Sequence, residues 1–379
     1  MRGQEDARRV VLHLGMHKTG TSSIQAALQG YRDERIEYAD LGPANHSLPL
    51  QRAFQDRKAA RGGKLPIRPD QREAARKALE AAIGGSRRSL ILSAEGLSHF
   101  DRASVQGVVE FLRPHFDRIE TILYVRPPES YARSAFQERT KFSAASFDVA
   151  RLVPPYRDRV ERWAETLGEE PTYVLYDRAT LHEGDVVADF AWRLDLDPAW
   201  LEARARTHPQ NRNASLSAEA TAALYLLRRR RGGPPAAHEK ERAREKRMIG
   251  LLQGFGQRRF DFGREVMDAA LAGRAEDIAW IEGRLGRSFP REVLKDPVIF
   301  GSEGDVLDYG EAQAPALAAH LEAKGLLRSG AGLSTVELLE ALARQPLRAM
   351  GLRDRLGQWG RAPATRLRAL LGRVAGARR

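Results

Sequence analysis

The sequence predicts an α/β fold, with a central parallel sheet between two layers of helices and a helical extension at the C-terminus. Short apolar runs that end abruptly in polar or glycine residues alternate along the chain with longer amphipathic runs of helical period. This order is typical of a parallel sheet covered by helices. At 379 residues the chain is also long enough to bury a full core, in one large domain or two smaller ones.

The expected elements follow one another in this order. Four apolar runs predict strands over 10–16, 89–95, 121–126 and 172–178. Amphipathic runs predict helices over 21–30, 71–84, 103–113, 128–141, 156–167 and 185–194. Residues 40–70 have little periodicity and many polar, Gly and Pro residues, so we expect a long loop near the functional site.

Beyond residue 200 the pattern is weaker. Ser215 or Ser217 predicts the N-cap of a further helix, because Glu219 falls in its first turn. We expect one α/β domain over 1–300 and a helical extension over 301–379 that ends in a basic amphipathic tail.

The run VVLHLGMHKTGTSS over residues 10–23 takes a strand directly into a loop of Gly, Lys, Thr and Ser, and a helix follows. In such a segment the backbone N–H groups of the loop and the first helical turn converge on one point, where the helix dipole favours an anion. Lys18 adds a mobile positive charge, and Gly15 and Gly20 allow a close backbone approach. Further donors are the hydroxyl groups of Thr19, Thr21, Ser22 and Ser23.

The spacing of this loop disfavours an ordinary ATP or GTP site. A Walker A loop places its Lys directly after the second Gly, whereas Lys18 comes two residues before Gly20. The sequence therefore predicts a phosphate-binding loop of another kind.

A second anion site is predicted where the strand 121–126 ends. Arg126 ends the strand, Pro127 and Pro128 begin a helix, and Ser134 follows in the second turn of that helix. Arg126 and Ser134 can then converge on one phosphate, with the Arg making a forked, charge-assisted contact.

A proton acceptor is predicted between the two anion sites. Glu95 follows a strand and so lies at the carboxyl edge of the sheet, where ligands of open α/β folds bind. A carboxylate that is partly desolvated in a cleft gains proton affinity, which suits it to act as a base. Two histidines compete for this role. His46, in the polar loop PANHSLP, is expected to overhang the loop of Lys18 and ranks above His99, one helical turn after Glu95.

Together these segments resemble the sulfotransferases that use 3′-phosphoadenosine 5′-phosphosulfate (PAPS). The order G-x-x-K-T-G-T-S-S resembles their 5′-phosphosulfate loop, and Arg126 with Ser134 eight residues later resembles their 3′-phosphate motif. Several carbohydrate sulfotransferases carry a Glu at the place of Glu95, usually followed by Lys and Ser, where this chain has Gly96 and Leu97. The resemblance covers about the first 220 residues well and about the next 70 loosely.

The resemblance implies a P-loop-like three-layer fold, PAPS as co-substrate, and in-line transfer of a sulfuryl group to a hydroxyl of a carbohydrate, polysaccharide or glycolipid. It implies that Lys18 neutralises the oxygen that bridges to sulfur and that Glu95 takes the proton of the acceptor. His17, beside Lys18, is expected to contact the phosphosulfate. It requires no metal, and the sequence has no metal-binding spacing such as H-E-x-x-H.

Composition adds expectations about the location of the chain. The absence of Cys excludes a disulfide scaffold, and the N-terminus MRGQEDARRV lacks the apolar core of a signal peptide. No apolar run approaches the ~20 residues that span a bilayer. We therefore expect a cytoplasmic protein, which agrees with the cytosolic origin of PAPS that the resemblance implies.

The net charge of +12 is concentrated in two segments. Residues 228–247 hold nine Lys or Arg and three Glu, and residues 344–379 hold ten Arg and one Asp among spaced Leu residues and one Trp. A basic amphipathic stretch can lie on an anionic membrane surface, and equally it can be a mobile tail or bind nucleic acid without specificity. The sequence leaves these three interpretations of 344–379 open and predicts no specific nucleic-acid partner.

Two other classes of function stay open at this point. A nucleotide kinase with the same loop needs Mg²⁺ and an aspartate at a strand end, and Asp177 fits that position. A non-catalytic protein would act through its basic tail on a membrane or polyanion.

Overall fold

The structure, a computed structural model, describes residues 7–55, 67–143, 146–207, 215–233 and 239–344. The central sheet of these residues contains five parallel strands, which are β1 (Arg9–His13), β2 (Ile36–Tyr38), β3 (Ser89–Ser93), β4 (Arg118–Val125) and β5 (Thr172–Leu175). They lie side by side in the order β2-β3-β1-β4-β5. The parallel α/β fold predicted from the alternating pattern is confirmed.

Helices connect and cover these strands. Up to residue 207 they are α1 (Thr21–Leu28), α2 (Ser47–Phe54), α3 (Pro69–Gly84), α4 (Arg102–Leu112), α5 (Pro128–Phe142), α6 (Tyr156–Leu167), α7 (Val186–Leu194) and α8 (Pro198–Thr207). Short 3₁₀ helices lie at Glu95–His99 and His182–Gly184.

The two faces of the sheet bury separate apolar layers, because successive side chains of a strand point to opposite faces. Val10 and Leu12 of β1 belong to the layer that packs against α2, α3, α4 and α6. Val11 belongs to the opposite layer, with α1, α7 and α8. The helices of this three-layer arrangement cover the two faces of the sheet and leave its carboxyl edge open, so the loops that follow the strands gather there.

Part of the long loop expected over 40–70 is instead helical, since α2 begins at Ser47 and α3 at Pro69. Pro49 looks like a helix breaker in the sequence, but it lies in the first turn of α2, where its missing N–H has no intrahelical partner to lose. Strand β2 was also not predicted. It has three residues and carries a charged Glu37 at its centre, so it shows no apolar run.

The chain after residue 214 forms a helical layer with a small sheet of two parallel strands. Its elements are α9 (Ala218–Arg231), α10 (Glu239–Leu252), β6 (Phe260–Phe262), α11 (Arg264–Ala272), α12 (Ala275–Leu285), β7 (Val298–Phe300), α13 (Glu303–Glu311), α14 (Ala314–Ala323) and α15 (Thr335–Arg344). Ser217 is the N-cap of α9, and its side chain accepts a hydrogen bond from the Ala220 N–H. The predicted cap is thus confirmed at Ser217.

Helix α9 lies at the centre of this layer and packs against α5, α13 and α15. Gly310 of α13 sits so close to α9 that a Cβ there would lie 2.7 Å from the carbonyl oxygen of Ala222. The hydroxyl of Thr335 in α15 donates to the carbonyl of Gly310. The domain boundary at 300 stays a prediction. The predicted tail lies outside the described residues apart from Arg344.

Candidate active site

A cleft of about 1310 Å³ opens at the carboxyl edge of the central sheet. Because the strands are parallel, their carboxyl ends deliver successive segments to this edge. The loop after β1 brings Lys18, the turn after β3 brings Glu95, the end of β4 brings Arg126, and the end of β5 brings Tyr176. Segments far apart in the sequence therefore line one cavity.

The loop after β1 has the backbone geometry of an anion-binding turn. Gly20 precedes α1 in the left-handed conformation, with φ 74°, and a Cβ there would lie 2.6 Å from a methyl carbon of Val186. Only glycine fits this position without strain. The N–H groups of Thr21 and Ser22 in the first turn of α1 find no acceptor within the described ranges. They are oriented along the helix axis towards the cleft, where a helix dipole stabilises negative charge.

The loop hydroxyls do not all face the cleft as expected. Ser22 and Ser23 line it. Thr21 also borders the cleft, but it is buried and its hydroxyl lies 3.4 Å from the carbonyl of Met16. Thr19 is completely buried and donates to the same carbonyl at 2.7 Å. Its side chain fastens the turn instead of contacting a ligand. The prediction that the Thr19 hydroxyl binds phosphate is therefore wrong, because this hydroxyl points into the loop and donates to a neighbouring carbonyl there.

Lys18 lies at the mouth of this loop with an ion pair across the cleft. Its backbone is in the left-handed region, with φ 69°, and its Nζ lies 2.7 Å from an Oε of Glu138 on α5. The same carboxylate lies 3.9 Å from Nζ of Lys141. The carboxylate of Glu138 therefore lies at the place beside Lys18 where the charge of an anionic ligand would bind.

Arg126 joins the two predicted anion sites. Its Nη1 donates to the carbonyl of Lys18 at 2.7 Å, and its Nε donates to the hydroxyl of Ser130 at 3.1 Å. Its guanidinium also lies 5.7 Å from the ring centre of Tyr176. No carboxylate of the described residues is within ion-pairing distance of it, while burial lowers its pKa. Arg126 is therefore a largely desolvated cation that pairs with no carboxylate there, although Glu292 acts on its charge from a longer distance, and this favours an anionic ligand.

Ser134 lines the same cleft one helical turn beyond Ser130. Its hydroxyl makes no hydrogen bond to the part of the chain that the structure describes, so it is available as a donor. The sequence analysis missed Ser130, although it follows Arg126 by four residues and lies in the first turn of α5. Its hydroxyl also donates to the carbonyl of Pro127, which holds it beside the guanidinium.

Glu95 is fixed by hydrogen bonds on both of its oxygens. Oε2 lies 3.0 Å from Nδ1 of His17, and Oε1 accepts from Nδ2 of Asn45 at 3.0 Å. Burial acts to raise the pKa of Glu95, but the hydrogen bonds from His17 and Asn45 and the charge of Lys18 outweigh it, so this pKa is lowered. The expectation that desolvation raises its proton affinity is wrong, because partners that stabilise the ionised form dominate.

His46 does not overhang the loop of Lys18. It is completely buried, its ring stacks on Tyr38 at 4.5 Å, and its Nδ1 accepts the N–H of Ser93 at 3.2 Å. Burial lowers its pKa to about 4. The prediction of His46 as a base is corrected: it packs under the sheet edge as the N-terminal neighbour of α2, a helix that the sequence did not reveal.

His99 does line the cleft, with its ring 5.1 Å from that of His17. Burial and the nearby Arg159 lower its pKa to about 4. Arg159 lines the same end of the cleft and donates to the hydroxyl of Tyr131 at 3.3 Å. This end of the cleft thus combines imidazole, carboxylate and guanidinium groups.

The rim opposite the strand ends comes from the C-terminal part of the chain. Arg133 of α5 pairs with Asp261, at 3.1 Å, and with Glu292. These ion pairs bring Arg259 and Arg291 to the wall of the cleft. The sequence contained no signal for this, because the pairs connect segments more than a hundred residues apart.

The structure therefore brings most of the predicted site residues to one cleft, which are His17, Lys18, Gly20, Thr21, Ser22, Ser23, Glu95, Arg126 and Ser134. Within the described ranges no group of three His, Cys, Asp or Glu residues is arranged to hold a metal ion. In the same part of the chain no helix is long and apolar enough to cross a membrane.

Comparison with known proteins gives little beyond this geometry. No protein-family model matches the chain, and no curated protein matches it significantly. Among solved structures, it is similar to a sulfotransferase from Alicyclobacillus acidocaldarius, with a TM-score of 0.40 and 16% identity over 75% of this chain and 98% of that chain. A similarity of this size identifies neither the family nor the activity.

Proposed function

We propose that this chain is a PAPS-dependent sulfotransferase that moves a sulfuryl group to a hydroxyl of a carbohydrate, polysaccharide or glycolipid. The observation that carries the proposal is the contact between its two anion sites. Arg126, a cation without a carboxylate partner among the described residues, donates to the carbonyl of Lys18. Two anionic groups of one small molecule can therefore be held at the same cleft.

The donor end of the cleft suits a 5′-phosphosulfate. The free N–H groups at the start of α1 and the hydroxyls of Ser22 and Ser23 would hold the 5′-phosphate. Lys18 would neutralise the oxygen that leaves sulfur, once its ammonium turns from Glu138 to the ligand. Arg126 and Ser134 would hold the 3′-phosphate, which distinguishes PAPS from ATP.

The acceptor end is the part of the cleft that contains Glu95, His17 and His99. These groups face the space beside Lys18, where a hydroxyl can approach sulfur from the side opposite the leaving oxygen. The cleft wall is rich in charged and hydroxyl side chains, which suits a hydroxyl-rich acceptor better than an apolar one. The choice of a glycan or glycolipid rests on the resemblance of Glu95 and its neighbours to carbohydrate sulfotransferases.

A nucleotide kinase is the second candidate, and Asp177 favours it. This aspartate follows β5 and lines the cleft, as a magnesium ligand would. Its Oδ1, however, accepts the N–H of Ala179 at 3.1 Å. Asp177 is thus engaged in the turn that follows the strand, which weakens this alternative.

Thermal unfolding separates these functions. A ligand present at 100 times its Kd adds about 2.7 kcal/mol to the stability of the native state. We expect 3′-phosphoadenosine 5′-phosphate (PAP), the product of PAPS, to raise the Tm in EDTA. Stabilisation only by ATP with Mg²⁺ would favour the kinase. Stabilisation by neither ligand would overturn both enzymes and leave a binding protein that acts through its basic tail.

The acceptor can then be identified by transfer of ³⁵S from labelled PAPS into a cell extract. We expect a labelled product that glycosidases degrade, and no label when the Lys18→Ala variant replaces the wild type. A labelled product that resists glycosidases would overturn the assignment of a glycan acceptor while keeping the sulfotransferase.

A further inference from the structure

His17, Glu95 and Asn45 form a chain of hydrogen bonds at the acceptor end of the cleft. Asn45 donates to one oxygen of Glu95, and the other oxygen lies 3.0 Å from Nδ1 of His17. The turn that carries Glu95 is itself held, because the N–H of Gly96 donates to the hydroxyl of Ser47 at 2.9 Å. Gly15 allows the loop to approach, since a Cβ there would lie 3.1 Å from Cα of Glu95. The carboxylate is therefore placed with little freedom.

This chain fixes the tautomer of the imidazole. An ionised carboxylate offers only acceptor atoms, so the hydrogen of the bond between Glu95 and His17 belongs to Nδ1. A neutral imidazole with its proton on Nδ1 has a free lone pair on Nε2. Nε2 makes no hydrogen bond within the described ranges, and the side chain of His17 is 46% exposed along the cleft wall.

Glu95 is poorly suited to take the proton itself. Both of its oxygens are already engaged, and its partners stabilise the ionised form, which lowers its pKa. His99 is the other imidazole at this end, but no carboxylate of the described residues orients it by a hydrogen bond. The charged groups next to His17 are Glu95 on the turn after β3 and Lys18, its neighbour in the chain, whereas Arg159 on α6 acts on the adjacent His99.

We propose that Nε2 of His17 takes the proton of the acceptor hydroxyl and that Glu95 is a positioning residue which orients this imidazole. The proposal rests on the proposed function and deepens it. The acceptor oxygen bonds to sulfur, and the bond from sulfur to the oxygen on the 5′-phosphate breaks with its electron pair on that oxygen. The hydroxyl proton moves to Nε2, and PAP and the sulfate ester leave.

Water serves as the acceptor in the test, so that no glycan needs to be known. The assay measures release of free ³⁵S-sulfate from labelled PAPS, and the Tm shift caused by PAP reports nucleotide binding in the same variants. We expect His17→Gln to lower hydrolysis about 100-fold or more, the usual contribution of a general base. The PAP-induced shift should remain. His115→Gln, a surface histidine outside the cleft, is the matched control and should keep the wild-type rate.

The tautomer of His17 is a second measurement, and it would not change in Glu95→Gln if Glu95 had only a structural role. In long-range ¹H–¹⁵N spectra of ¹⁵N-histidine-labelled protein, neutral His17 should carry its proton on Nδ1, and Glu95→Gln should reduce that population together with the hydrolysis rate. The signal of His17 is assigned by its loss in His17→Gln.

Three results would overturn the proposal. The first is a hydrolysis rate of His17→Gln within about 3-fold of the wild-type rate. The second is a neutral His17 in the wild type that carries its proton on Nε2. The third is a loss of hydrolysis rate in Glu95→Gln far larger than in His17→Gln, which would make the Glu95 carboxylate the proton acceptor. A wild-type chain that PAP does not stabilise and that does not hydrolyse PAPS overturns the proposed function as well. That failure is distinct, because the first three results occur in a chain that binds PAP.

Discussion

Replacement of Arg126 should weaken the binding of PAP far more than that of adenosine 5′-monophosphate (AMP), which lacks the 3′-phosphate. A guanidinium has five N–H donors, and the bonds to Lys18 and Ser130 use two of them. Two of the remaining donors can bind a phosphate, at about 1.5 kcal/mol each for hydrogen bonds to a charged group. Arg126→Gln should therefore weaken the binding of PAP by about 3 kcal/mol more than that of AMP, or by about 150-fold in the ratio of their Kd values.

AMP should be affected only through the loop. Arg126→Gln leaves the carbonyl of Lys18 without its charged donor, which costs about 1 kcal/mol, or about 5-fold in affinity. Isothermal titration in EDTA measures both ligands, and Arg102→Gln on the distant helix α4 is the matched control. An equal loss for PAP and AMP, or an unchanged Kd for PAP, would refute the assignment of Arg126 to the 3′-phosphate.

Three further outcomes follow from the geometry. Lys18→Ala should lower the turnover of PAPS, measured by ³⁵S release, much more than the affinity for PAP, measured by titration, because the charge of Lys18 acts on the leaving oxygen. A larger loss of affinity than of turnover would contradict that role. Burial lowers the pKa of His46 to about 4, from about 6.5 in the unfolded chain, so the unfolded state takes up a proton first as the pH falls. In urea unfolding, the free energy of unfolding of the wild type should therefore fall by about 2 kcal/mol more than that of His46→Gln between pH 7.5 and 5. An equal loss in the two proteins would place His46 in solvent. Gly310→Ala should lower the free energy of unfolding by more than 1 kcal/mol in the same assay, because its Cβ would lie 2.7 Å from the Ala222 carbonyl oxygen, and a smaller loss would mean that α13 does not pack so closely on α9.

The strands and loops that carry the site could be predicted from the sequence because each of them depends on residues close together in the chain. Apolar runs predicted β1, β3, β4 and β5, and in a parallel sheet their carboxyl ends meet at one edge. The loop of Lys18 and the helix start after Arg126 could therefore be placed together before any coordinates were known.

The remaining parts of the site depend on tertiary contacts. Burial of His46 and the inward turn of the Thr19 hydroxyl follow from packing around α2 and from a competing carbonyl, and neither leaves a mark in a single sequence. Glu138 reaches Lys18 from a helix 120 positions later in the chain. Asn45 likewise meets Glu95 across 50 positions. Such pairs appear only when the elements are assembled in space.

The most direct measurement is a crystal structure of the chain with PAP bound in the absence of metal. We expect the 5′-phosphate at the N–H groups of Thr21 and Ser22 and the 3′-phosphate within hydrogen-bond distance of the Arg126 guanidinium and the Ser134 hydroxyl. The ammonium of Lys18 should have left Glu138. A nucleotide bound elsewhere, or one whose 3′-phosphate faces solvent while Arg126 stays without an anion, would contradict the proposed function.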